Sequence, residues 1–172
     1  MPEVTTPSAT ALPNATDQTA LAPSPLAAFL AAENPALQLT PRAGVLTPQS
    51  FDAPQAETTA LLAGAAVHDL GWLRRLSVRG EDRSRWLSGM VTNTVSGLAP
   101  RGGAWNLVLN AQGRILGDLE VWRDGDALEL VLAANQYDRL LAHLDRFIVM
   151  DDVELVPLTL DAEGALTGLS AL

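Results

Sequence analysis

Apolar and polar residues alternate most regularly between Gly103 and Arg123, where two such runs flank Asn110-Ala111-Gln112-Gly113. Alternation broken by turn formers that end in glycine predicts a β-hairpin. With those four residues as the loop, Leu109 is expected opposite Arg114, Leu107 opposite Leu116, and Trp105 opposite Asp118. Side chains take opposite faces in turn along a strand. Trp105, Leu107, Leu116, Asp118, Glu120 and Trp122 then share one face, and Ile115, Gly117, Leu119 and Val121 take the other as the core face. Two indoles and two carboxylates together read as the wall of a site. An ordinary solvated outer face would give the same alternation, so the pattern alone leaves both readings open.

Periodicity elsewhere supplies the partners of this hairpin. Residues 25–33 predict a short helix with Leu26, Phe29 and Leu30 on one side, stopped by Asn34-Pro35. Residues 36–53, with two prolines and little periodicity, read as a connecting loop, and 52–67 as a helix with Asp52 as cap and Pro54 in the first turn. A strand is expected over 73–78 and a helix over 81–90, with Trp86, Leu87 and Met90 as its apolar stripe. After a turn at Asp124-Gly125-Asp126 comes a third meander strand, 127–132. A two-residue loop would set Val131 opposite Asp118, and a three-residue loop would set Leu132 there. Asn135 caps a helix to about Phe147 whose stripe is Tyr137, Leu140, Leu141, Leu144, Phe147 and Ile148, with His143 off it at the surface. Residues 152–160 form a last strand, placed at an edge by Pro157. The order predicts an α+β fold with a mainly antiparallel sheet and packed helices.

The first 25 residues, rich in Thr, Ala, Pro and Ser, lack periodicity and read as a disordered extension ahead of one domain over 26–172. No apolar run approaches the ~20 residues of a membrane span, and no basic segment leads into an apolar one at the N-terminus. Cytoplasmic residence is the default. The apolar end, Gly164 to Leu172, suggests truncation.

Composition narrows the chemistry. With no cysteine, thiolate nucleophiles and cysteine-held zinc or iron–sulfur centres are excluded for this chain. All eleven basic residues are arginine, so a lysine Schiff base and a P-loop lysine are excluded too. The only histidines, His68 and His143, argue against a multi-histidine metal centre, and no metal is expected. A net charge of −9 argues against general nucleic-acid binding. Arg74, Arg75, Arg79, Arg83 and Arg85 nevertheless crowd into a short stretch. They could meet an anionic ligand tail or an RNA backbone, though a solvated surface is the simpler reading.

Five segments in register carry a resemblance: V-H-D-L-G-W-L (67–73), L-S-V-R-G-E-D (76–82), W-L-S-G-M-V-T-N (86–93), L-N-A-Q-G-R-I-L-G-D-L (109–119) and F-I-V-M-D-D-V-E-L (147–155). In this order they resemble the N-terminal folate-binding region of the YgfZ/GcvT superfamily. That superfamily includes the glycine-cleavage T-protein, an aminomethyltransferase, and YgfZ-type proteins linked to iron–sulfur cluster maintenance and tRNA modification.

The resemblance implies a GcvT-like folate-binding domain with tetrahydrofolate as ligand. It places Asp118 beside the reacting part of the folate, as the catalytic carboxylate if the chain is an aminomethyltransferase. Trp105, Glu120, Trp122 and Leu73 join it as binding residues. Indoles can sandwich a flat ring, and a carboxylate can accept hydrogen bonds from pterin N–H groups or orient an amine. Departures from the T-protein pattern point to the YgfZ branch. Gly117-Asp118 stands where the T-protein usually has two aspartates, its pterin-binding asparagine aligns with Leu132 or Ala133, and Thr94 stands for its aspartate after T-N. The later cysteine-containing motif of the YgfZ branch has no counterpart here. The expected function is therefore YgfZ-type folate binding, with iron–sulfur proteins or their assembly machinery as partners. Aminomethyl transfer and a truncated partner-binding domain without ligand are the alternatives.

Overall fold

Leucines and valines at alternate strand positions need a second layer to cover them, and two helices supply it. The computed structural model describes residues 21–158. Among these are helices α1 (Pro25–Glu33), α2 (Pro54–Ala63), α3 (Arg83–Met90) and α4 (Ala134–Asp145). The strands are β1 (Leu39–Arg42), β2 (Val45–Pro48), β3 (Leu73–Arg79), β4 (Gly103–Leu109), β5 (Ile115–Asp124), β6 (Ala127–Ala133) and β7 (Glu154–Leu158). β1 and β2 form a small hairpin. The other five make an antiparallel sheet in the order β4-β5-β6-β3-β7. The fold is α+β, as the periodicity implied, and β7 is the edge strand that Pro157 required.

One face of the sheet is dry. Leu76 and Val78 of β3, Val108 of β4, Leu119 and Val121 of β5, and Leu128, Leu130 and Leu132 of β6 pack there against Trp86 and Leu87 of α3 and Leu140 and Leu144 of α4. Removing a leucine or valine of this kind from water contributes roughly 1.5–3 kcal/mol. Asn106 lies on the same dry face with no exposure. Its Oδ1 accepts the Asn93 N–H at 2.8 Å and its Nδ2 donates to the Ala104 carbonyl at 2.9 Å, so the buried amide is satisfied.

The central hairpin forms with a different register. Leu107 pairs with Asp118 and Trp105 with Glu120, and a bulge lies between Val108 and Leu109. Asn110 causes the offset: its Oδ1 accepts both the Gln112 and Arg114 N–H groups, and its own N–H bonds the Arg114 carbonyl. The tip therefore closes one residue tighter than expected, and the bulge adds another. A shift of two leaves each residue on its expected face. Ile115 and Leu116, at the bulge, are the exceptions: Ile115 is exposed rather than core, and Leu116, expected on the outer face, is half-buried against the core. The next turn, Gly125-Asp126, joins Asp124 to Ala127 and sets Val131 opposite Glu120, so neither expected partner of Asp118 holds. β5 simply outruns β6 at that end.

Several boundaries differ for local reasons. Residues 36–53 contain the β1–β2 hairpin, which turns through Ala43 and Gly44, both with positive φ. On α1 it is Ala27 that is buried, while Phe29 is exposed. Ala53, not Asp52, holds the cap position of α2, and Gly64 ends that helix before Val67. α3 begins at Arg83, with Asp82 at its cap. α4 follows β6 without a loop, so no Asn135 cap forms; backbone carbonyls of Trp72 and Ala43 take the Ala134 and Asn135 N–H groups instead. His143 is buried, edge-on to Phe147 at 5.1 Å, and Phe147 is partly exposed beyond the helix end. Of the expected extension over 1–25, residues 1–20 lie outside the described range. Ser24 within it is buried, caps α1 through Ala27 N–H, and donates to Asp69 at 2.6 Å. The end of the expected last strand and the apolar terminus, 159–172, also lie outside the described residues.

Candidate functional site

The second face of the sheet has neither α3 nor α4 over it, and its side chains form a polar and aromatic wall. Cross-strand pairing brings Trp105, Leu107, Asp118, Glu120 and Trp122 onto this face with Glu129 and Val131 of β6 and Arg75 of β3. Trp105 is 58% exposed and Trp122 42%, unusual openness for the largest apolar side chains in the chain. Each indole is tied to a carboxylate. Trp105 Nε1 donates to Asp118 Oδ2 at 3.1 Å, and Trp122 Nε1 donates to Glu120 Oε2 at 2.9 Å.

Local packing explains where the rings lie. A Cβ on Gly103 would stand 2.6 Å from atoms of the Trp122 ring, so the missing side chain lets that indole lie across β4. Asp118 is fixed by a residue the sequence reading did not single out. Gln136, in the first turn of α4, accepts the Asp118 N–H through Oε1 and donates through Nε2 to Asp118 Oδ1, both at 3.1 Å. Because β5 outruns β6, the Asp118 N–H has no strand partner on that side, and the glutamine amide substitutes for one. Gly117 makes room: a Cβ there would collide with Gln136 Oε1 and approach Leu140 Cδ1 to 2.9 Å. No local motif marks Gln136, because its partner lies on another element.

The two carboxylates are therefore held as acceptors with lone pairs to spare. Asp118 Oδ1 has the glutamine amide and Oδ2 the indole, and each oxygen can take one more donor. Farther along the wall Glu129, itself 9% exposed, chelates Arg75 through both oxygens. That hydrogen-bonded pairing holds the Arg75 guanidinium above its ordinary range, against a smaller opposing effect of burial. Leu73 is half-buried at the β3 end of the same face, opposite Ala133. It lies two strands from Asp118, about 10 Å away. The structure thus gathers Trp105, Asp118, Glu120 and Trp122 closely and leaves Leu73 at the margin.

The positions aligned with the T-protein asparagine are now separable. Leu132 is in the core, whereas Ala133 is on the wall. Thr94 is exposed, its N–H bonded to Asn93 Oδ1. The arginine-rich stretch does not form one basic surface. Arg75 is spent on Glu129 and Arg85 on Asp82 and Asp151. Arg74 and Arg83 bond backbone carbonyls, and Arg79 the Ser77 hydroxyl. Among the described residues no three His, Asp or Glu side chains gather as a metal would need, and no helix is long and apolar enough to cross a membrane.

Comparison with known proteins bears on this architecture. No curated protein matches the sequence. Among solved structures, the glycine cleavage system aminomethyltransferase T from Bartonella henselae superposes with a TM-score of 0.65 at 20% identity, over 76% of this chain. The match covers 36% of that enzyme, so the similarity is one of fold over about a third of its length. The sequence profile of the GCVT N-terminal domain matches residues 30–167. That is most of the chain, and the protein belongs to the GCVT N-terminal domain family.

Proposed function

We propose that the tryptophan-lined face binds tetrahydrofolate or a derivative, with Trp105 and Trp122 against its flat rings and Asp118 and Glu120 accepting its N–H donors. The observation that carries this reading is the pairing of each exposed indole with a carboxylate on one open face. Indole faces suit a flat heteroaromatic ring, and the spare lone pairs of Asp118 suit a ligand rich in N–H groups. Leu73 supplies apolar contact at the margin. Bound tetrahydrofolate would bring one-carbon carrying capacity; the chain's own part is to grip and orient it.

On this reading the protein is a YgfZ-type accessory factor in the cytoplasm, serving iron–sulfur proteins or their assembly machinery, or tRNA modification. The second reading is aminomethyl transfer to tetrahydrofolate with Asp118 as the catalytic carboxylate, and the fold shared with an aminomethyltransferase favours it. Against it, Leu132 is buried and Ala133 has only a methyl group where an amide would be needed.

Calorimetric titration of the folded chain with tetrahydrofolate tests the site. Saturable binding is expected, weakened about tenfold or more by Asp118→Ala, since a hydrogen bond to a charged group contributes roughly 1.5–3 kcal/mol. Trp105→Ala should weaken it as well. Binding that survives both substitutions unchanged would remove the assignment. Formation of methylenetetrahydrofolate from an aminomethylated lipoyl carrier would favour the second reading.

A further inference from the structure

On the helix side of the sheet, away from the tryptophan wall, the β5–β6 turn meets the start of α3 around a cleft of about 120 Å³. Val95 and Leu128, both buried, form its floor. Arg83, Ser84 and Gly97 line one part of it and Arg123 another. Arg123 follows Leu119 and Val121 on the helix side of β5 and pairs across the ladder with Leu128. None of the residues lining the cleft is acidic, in a chain with twenty carboxylates and eleven arginines.

Both guanidinium groups are anchored and still have capacity. Arg83 Nη1 donates to the Gly80 carbonyl at 2.6 Å, and Arg123 Nη1 donates to the Leu98 carbonyl at 3.1 Å. Neither joins an ion pair among the described residues. A guanidinium presents five N–H donors in a planar fork, so most of each remains available. The start of α3 adds to them. Its cap residue Asp82 makes no side-chain cap; its carboxylate instead takes the Asp152 N–H and the Arg85 guanidinium. The first-turn N–H groups beside Ser84 therefore lack a side-chain acceptor.

We propose that this cleft is a binding site for a compact oxyanion of the phosphate class, clasped between Arg83 and Arg123 with the Ser84 hydroxyl as a further donor. Paired guanidinium forks match the oxygen geometry of phosphate. The volume is below the several hundred Å³ usual for a whole organic ligand, which favours a single anionic group. The site is independent of the folate reading, because it lies on the opposite face and shares no residue with the wall.

Backbone amide NMR of the intact chain, titrated with inorganic phosphate against chloride at constant ionic strength, tests the proposal. Saturable shifts centred on Ser84, Gly97 and Gly125 are expected. Arg83→Gln and Arg123→Gln should each weaken binding at least tenfold, and Arg114→Gln, at the hairpin tip, should leave it unchanged. Acetate in a parallel titration separates the two oxyanion classes. Weaker acetate binding supports phosphate, and equal or tighter acetate binding overturns that assignment. Should Arg83→Gln disturb α3, the exposed Arg123 carries the test alone. Shifts that do not saturate, or an affinity indifferent to Arg123→Gln, overturn the site.

Discussion

Gln136 holds the Asp118 main chain and its carboxylate at once, and it can do so only because residue 117 has no side chain. Gly117→Ala is therefore expected to force either the glutamine or Leu140 to move, costing about 1–3 kcal/mol as overpacking does. Urea unfolding would read the loss, and an unchanged midpoint would show that α4 yields freely there. At this scale the sequence was legible where a property belongs to one residue and its alternation, as with Trp105, Asp118, Glu120 and Trp122 sharing a face. It was not legible for Gln136 or for buried Asn106. Their roles depend on partners that another element brings alongside, and no spacing records such a meeting.

Elements were readable where periodicity is strong, as in α4 and the β4–β5–β6 meander. They were unreadable where turn chemistry decides. The β1–β2 hairpin hides behind Pro41 and Pro48, which this ribbon tolerates because β1 has a free outer edge and β2 is bonded on its outer side only at Leu46, to Ala22 and Ser24. Asn110 likewise reset the main hairpin through side-chain bonds that composition alone does not count. A similar polar device ties β7 to α3. Asp152 accepts the Glu81 N–H with its carboxylate and the Asp82 N–H with its carbonyl, while its own N–H goes to Asp82 Oδ2. Asp152→Ala removes only the carboxylate bond and should lower stability by about 1 kcal/mol. Amide exchange should quicken in β7 more than in β5; uniform exchange across the sheet would mean that Asp152 does not control this edge.

Taken as a whole, the molecule is a sheet with one dry face and one wet one, and His143 sits on the dry side's helix layer. Burial, and secondarily Arg146 at 3.3 Å from its Nδ1, keeps the imidazole below its ordinary value of 6.5. The unfolded chain thus binds a proton more readily than the folded one. Stability from this group is complete above pH 6.5 and falls as the pH drops from there toward the depressed folded value. Melting temperatures across pH 7.5 to 5 should show that decline, and His143→Phe should flatten it; an identical slope in the variant would exonerate the histidine. Asp82 is lowered chiefly by the Asp152 N–H, then by Arg85, so its contribution is lost only in stronger acid, below its ordinary 3.8.

The strand order has a consequence for how the chain comes together. β3 is the first strand of the main sheet to be synthesised, yet its neighbours are β6 and β7, the last two. Leu76 meets Leu130 on one side and Pro157 on the other. While the meander can zip through local turns, β3 must wait with both edges bare until nearly all of the described chain has been made. Long-range closures of this kind demand loop entropy before they return any contact. The strand at the heart of the ion-paired Arg75–Glu129 register is thus also the one most open to pairing with the wrong edge, its own or another molecule's, during synthesis.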